Sequence, residues 1–127
     1  MREIVGEMKN GDKKATYAFD VFTYRVKKYI GAYAAAMGGL DAVVFTGGIG
    51  ENSPEVRSAS CEGLGFLGIT IDAALNASGE KERAITSPTS RVKVLVVATN
   101  EELVIAMDTM QIVLEKNPAL RQVPTGT

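Results

Sequence analysis

Three glycines fall within four positions, Gly47, Gly48 and Gly50, directly after the apolar run Val43-Val44-Phe45. A short β-rich run bounded by turn residues reads as a buried strand. Beyond the glycines, Glu51 and Asn52 lead into Ser53-Pro54, a helix start with Ser53 as N-cap and Pro54 at the first helical position. Strand, glycine turn and helix is the geometry in which backbone N–H groups and a helix N-terminus meet a phosphate or nucleotide. Glycine suits it because a Cβ would hold the ligand off the main chain and forbid positive φ. Two commoner signatures do not fit. No lysine follows as a P-loop requires, and counting from Gly48 the third glycine of a dinucleotide fingerprint is Ser53. Spacing alone also fits a tight turn that holds no ligand.

Glu101 is the second candidate. Val92 to Ala98 is nearly continuous in aliphatic residues, as a strand buried on both faces should be, and it feeds a helix from about Glu101 to Glu115. Thr99 and Glu102 have the spacing of a capping box, which occupies Glu102 and leaves Glu101 free at a positive helix end. A carboxylate there stays ionised and can help hold Mg²⁺ beside a triphosphate. It can equally do no more than favour the helix dipole.

The elements that position these groups can be laid out in order. Arg2 to Asn10 forms a short helix, and Asp12 caps a long one that runs to about Met37, where Gly38-Gly39 stops it. Ala15, Phe19, Phe22, Val26, Tyr29, Tyr33 and Ala36 define its apolar face. Such a helix is about 39 Å long, more than a small sheet can cover, so part of it should pack on something outside this chain. Pro54 to about Glu62 is helical, Leu64 to Ile71 is a loop entering a short strand, and Asp72 to Glu82 is turn-like. Arg83 to Thr86 is an edge strand. In the last helix Leu103, Ala106, Met110 and Val113 form an inward stripe, and 118–127 is a loose tail. The expected class is α/β in one domain. The two strong strands should be parallel neighbours or near-neighbours, because each is followed by a helix that must cross back. Gly47 to Asn52 and Asn100 to Glu102 then share the C-terminal edge, where open α/β sheets bind ligands.

Composition removes several alternatives. With no histidine, His-based triads and His-metal sites are excluded. The single cysteine, Cys61, allows no internal disulfide, reads as an inert packing thiol and fits a reducing cytoplasm. A net charge of −1 gives no electrostatic reason to expect nucleic acid or an anionic membrane as partner. No apolar run approaches the ~20 residues that span a bilayer, and no signal peptide is expected.

Val44-Phe45-Thr46-Gly47-Gly48-Ile49-Gly50-Glu51-Asn52-Ser53 resembles the adenosine motif of the acetate kinases, in the sugar kinase, heat-shock and actin superfamily. The resemblance extends through Asp20-Val21-Phe22, Tyr24-Arg25-Val26 and Lys28 to Tyr33, and resumes at Thr99 to Ala106 and Asp108-Thr109. It implies a ribonuclease H-like half of an actin-like ATPase fold, with a mixed sheet and helices on its faces. It also implies reversible Mg²⁺-dependent phosphoryl transfer between ATP and acetate, giving ADP and acetyl phosphate, and a homodimer joined through this region. Carried over, Gly47, Gly48, Ile49, Gly50, Glu51 and Asn52 contact the nucleotide, and Glu101 is the magnesium-associated carboxylate. Met1-Arg2 matches the end of a tripeptide beside the adenine, so both join the nucleotide set. The family's catalytic arginines, aspartate and histidine have no counterpart. The chain is therefore expected to be the final third of such an enzyme, with no catalytic residue of its own and inactive alone. A propionate or other short-chain carboxylate kinase, or a non-catalytic dimerisation module, remains open.

Overall fold

The computed structural model describes residues 1–117, and the tail expected over 118–127 lies outside them. The elements are α1 (Arg2–Lys9), α2 (Lys13–Met37), β1 (Ala42–Phe45), α3 (Gly47–Asn52), α4 (Pro54–Cys61), α5 (Ala73–Ala77), β2 (Arg83–Ala84), β3 (Lys93–Val96) and α6 (Glu101–Lys116). A 3₁₀ turn occupies Gly65–Leu67. Among the described residues the sheet has strand order β1-β3-β2. β1 and β3 are parallel, from Ala42 beside Lys93 to Phe45 beside Val96, and β2 runs antiparallel along the far edge of β3. The parallel pair and the α/β class are as expected. Where the reading of Leu64 to Ile71 expected a short strand, Ile71 makes a single antiparallel bridge to Thr86.

Local signals explain the ends of α2. Asp12 accepts from the Ala15 N–H at 2.8 Å. At the far end Gly38 takes φ 74°, a left-handed conformation that glycine enters without steric cost, and the Gly39 N–H donates to the Ala34 carbonyl at 2.9 Å. The buried line of this helix is Ala15, Phe19, Thr23 and Ala34, with Phe22, Val26 and Ile30 half-buried. That corrects the expected face at its C-terminal half. Tyr29 and Tyr33 stand 53% and 61% exposed and stack on each other, with ring centroids 6.2 Å apart. Neighbouring positions on a helix are about 100° apart, so once Ile30 meets the sheet Tyr29 cannot.

Two apolar clusters hold the unit together. Phe45, Cys61, Leu64, Ile69, Ile85, Val92, Val94 and Val96 form the core beneath one face of the sheet. Val5, Phe19 and Val56 join α1, α2 and α4 in a second cluster. Burial pushes the Cys61 thiol from 9.0 up to about 11. The fold thus favours the neutral thiol, and its contribution is complete below pH 9.0 and lost as pH rises toward about 11. Urea midpoints of the wild type and of Cys61→Ala are expected to converge across that window.

Three further expectations are corrected. β3 is not buried on both faces. Val92, Val94 and Val96 are covered, whereas Lys93 and Val97 are exposed and Leu95 is half-covered, and Val44 beside Leu95 is 51% exposed. The helix that should return across that open face does not do so. Leu103, Ala106, Met110 and Val113 of α6 are all exposed, and only Leu114 is even half-buried. Finally, the stretch read as turn-like contains α5, capped by Asp72, whose carboxylate accepts from the Leu75 N–H at 2.9 Å.

Candidate functional site

The chain leaves β1 through Thr46 in extended conformation and turns sharply at Gly47, φ 71°. A side chain at that φ would be strained, which accounts for glycine there. The following residues are not an open loop, as expected, but the short helix α3. Its last turn is closed by Asn52, whose Nδ2 donates to the Gly48 carbonyl at 2.9 Å. Ser53 then caps α4, accepting from the Val56 N–H at 3.4 Å with Pro54 at the first position.

Between α1 and the glycine helix lies an open cleft of about 600 Å³. Met1, Arg2, Gly48, Ile49 and Asn52, five of the residues singled out from sequence, all line it. Residues far apart in the chain thus meet because α1 packs on α2 and α4. Lys9 and Glu55 pair at 2.5 Å across its rim, and the ammonium holds the Glu55 carboxyl below its ordinary range. A Cβ built on Gly48 meets no atom within 4 Å, so this glycine keeps the cleft open and answers no packing demand. Gly50 is different. A Cβ there would lie 3.1 Å from the Phe45 carbonyl carbon, so glycine lets α3 sit down on the strand end.

Glu51 turns the other way. It lines a neighbouring recess of about 380 Å³ with Arg57, Asn76, Lys81 and Thr99, which meets the cleft at Asn52 and Pro54. The Thr99 N–H and hydroxyl donate to Glu51 Oε1 at 2.9 and 3.0 Å. These bonds, the backbone one first, hold its carboxyl below the ordinary range. Arg57 closes the recess from beneath. It is 0% exposed and donates through one terminal nitrogen to the carbonyls of Gly50 and Glu51 at 2.7 and 2.9 Å. Its Nε donates to Asn76 Oδ1 and its other terminal nitrogen to the Asn76 carbonyl, both at 2.7 Å. Sequence reasoning missed Arg57, Asn76 and the role of Thr99. One signal was readable: Arg57 is four residues after Ser53 and four before Cys61, on the inward side of α4.

Glu101 is exposed in the first turn of α6. The capping box expected next to it is not formed. Asn100 caps α6, accepting from the Leu103 N–H at 3.0 Å, because the Thr99 hydroxyl is engaged by Glu51. Glu102 is therefore not tied up by a cap. Asn100→Ala is expected to destabilise the start of α6 by about 1 kcal/mol, read as faster amide exchange in its first turn. Glu102→Ala should leave that exchange unchanged. Parallel pairing of β1 and β3 does bring α3 and the α6 start to one edge. No cluster of three or more His, Cys, Asp or Glu side chains among the described residues could hold a metal unaided.

This small mixed sheet with its surrounding helices is one half of an actin-like ATPase fold, and solved acetate kinases share it. Over 88% of this chain and 28% of its own length, acetate kinase from Porphyromonas gingivalis superposes with a TM-score of 0.78 at 50% identity. A propionate kinase from Francisella tularensis does so with a TM-score of 0.73 at 41% identity, over 83% of this chain and 27% of its own. Residues 1–107 match the acetokinase family, and the chain belongs to that family. The acetate kinase of Pseudothermotoga lettingae is 55% identical over 113 residues, 89% of this chain. That of Symbiobacterium thermophilum is 52% identical over 113 residues, also 89% of this chain. The chain spans about 28% of the length of these curated relatives.

Proposed function

We propose that this chain is the nucleotide-binding part of an acetate kinase, which transfers the terminal phosphoryl group of ATP to acetate and runs in reverse from acetyl phosphate and ADP. One observation carries the reading. The cleft beside the glycine helix gathers Arg2, Gly48, Ile49 and Asn52, with Met1 at its end. Met1 and Ile49 offer apolar contact to a purine, and the Arg2 guanidinium can stack on its face or pair with phosphate. Gly47 makes the turn, Gly48 leaves the main chain bare, and Gly50 seats the helix. Asn52 presents an amide beside them.

Glu101 is proposed as the carboxylate associated with Mg²⁺. The donor set suits that ion, which takes one or two carboxylates and completes its shell with waters and phosphate oxygens. When bound, the ion supplies neutralisation of phosphate charge. Within these residues the work is binding and orientation. No group here is proposed to act on the transferring phosphoryl, and the acetate-side residues are proposed to lie outside residues 1–127.

Acetate is favoured by the relatives above. Propionate is the second reading, supported by the likeness to the Francisella propionate kinase. A homodimer is proposed through the outer side of α2, where Tyr17, Val21 and Tyr24 are 75%, 57% and 61% exposed on one stripe. A cytoplasmic setting is consistent with one buried thiol, and among the described residues no helix is long and apolar enough to cross a membrane. The net charge of −1 argues against nucleic-acid or membrane partners. Calorimetric titration of this chain with Mg-ADP tests the reading. Saturable binding at or below about 1 mM is expected, and no heat at that concentration would sink it in favour of a dimerisation module.

A further inference from the structure

We propose that Glu51 is a positioning residue: its carboxylate ties the end of α3 to the entry of α6 and so sets where Glu101 stands relative to the nucleotide cleft. The proposal rests on the reading of the cleft and of Glu101 given above. Sequence resemblance placed Glu51 with the nucleotide contacts. The geometry places its carboxylate in the neighbouring recess, on Thr99, while Gly48, Ile49 and Asn52 line the cleft.

Both ends of this tie are anchored. On one side, Arg57 grips the Glu51 carbonyl at 2.9 Å, so the backbone that carries the carboxylate is fixed to the buried core. On the other, the ladder between β1 and β3 ends where the Val97 N–H meets the Phe45 carbonyl at 3.0 Å. Beyond that bond Ala98 makes no backbone hydrogen bond to β1. Thr99 is the next residue held, by two bonds to one carboxylate oxygen, and Asn100 caps the helix immediately after it. Through its first three turns α6 is exposed on every side, so no packing among the described residues fixes its direction. A helix so placed takes its aim from its first residues, and Glu101 is two positions beyond the tie. Glu51 and Thr99 thereby link the nucleotide cleft to the carboxylate of Glu101 through a path of covalent bonds and two hydrogen bonds.

The test compares Glu51→Ala, Glu51→Gln and Thr99→Val with the wild-type chain, each titrated with ADP alone and with ADP plus Mg²⁺. Amide exchange over residues 99–106 is followed in parallel. Glu51→Ala is expected to keep metal-free ADP affinity within about twofold and to lose most of the gain that Mg²⁺ confers, a coupling on the order of fivefold or more. Its exchange over residues 99–106 should speed up, as helix entries do when local opening becomes easier. Glu51→Gln keeps an acceptor oxygen for Thr99 and should lie between. Thr99→Val keeps the N–H and should also lose only part. A loss of metal-free ADP affinity by about tenfold in Glu51→Ala would make Glu51 a nucleotide contact and overturn the proposal. Unchanged exchange in Glu51→Ala would overturn it as well. If the wild type gains nothing from Mg²⁺, the assignment of Glu101 has failed, and the exchange data still decide whether Glu51 positions α6.

Discussion

Replacing Arg57 with methionine is expected to remove about 3–5 kcal/mol of stability, enough to leave a domain of this size largely unfolded at moderate urea. Methionine fills a similar length of α4, so the loss is not one of volume. It arises because three acceptors, the carbonyls of Gly50 and Glu51 and the Asn76 side-chain oxygen, lose their donor together, and the Asn76 carbonyl keeps only the longer bond from Arg83 at 3.3 Å. Asn76 is itself 4% exposed, so the loss falls on a buried group. Lysine does not rescue. Its ammonium keeps the charge but cannot reproduce a planar fork that serves carbonyls on two different helices. Urea denaturation followed by circular dichroism measures the midpoint, and a loss below about 1 kcal/mol would mean the guanidinium is not holding α3 to α5.

The second large effect is on binding alone. Gly48→Val is expected to weaken Mg-ADP binding by at least about tenfold, on the order of 1.4 kcal/mol, with little change in the unfolding midpoint. The site around Gly48 is open: a Cβ there meets no protein atom within 4 Å, and the residue lines the cleft, so the added bulk competes with the ligand. Its φ is not in the left-handed region, so no backbone strain follows either. Gly50→Ala is the opposite control. There the new methyl presses on the Phe45 backbone at 3.1 Å, and the expected cost is roughly 1–3 kcal/mol in stability. Binding that survives Gly48→Val intact, measured by the same calorimetry, would move the nucleotide out of this cleft.

Much of the scaffold was readable because its signals are local. Val43 to Phe45 and Val92 to Ala98 announced strands by composition, and the helix behind each required them to lie parallel. Asp12, Gly38, Ser53 and Pro54 marked helix ends through caps that depend on one or two neighbouring residues. The misreadings share a tertiary origin. Three glycines argue against a helix at 47–52, yet α3 forms there with Arg57 holding its final carbonyls and Asn52 closing its turn. Thr99 has the right spacing for a capping box, but a carboxylate from the other crossover unit claims its hydroxyl. Tyr29 and Tyr33 fit an apolar rhythm that the small sheet is too narrow to use. In the candidate site, the glycines and Arg2 were legible from motif, whereas the direction in which Glu51 points required the recess.

The parallel register of Ala42–Phe45 with Lys93–Val96 also sets a timetable for biogenesis. The first strand leaves the ribosome about 50 residues ahead of its described neighbour, a wait on the order of seconds at ordinary elongation rates. During that interval Val5, Phe19 and Val56 can already meet, since all three have been synthesised. The cluster around Phe45 is not complete until Val94 and Val96 arrive. Nascent chains paused before Val92 are thus the form most open to proteases and to misassociation.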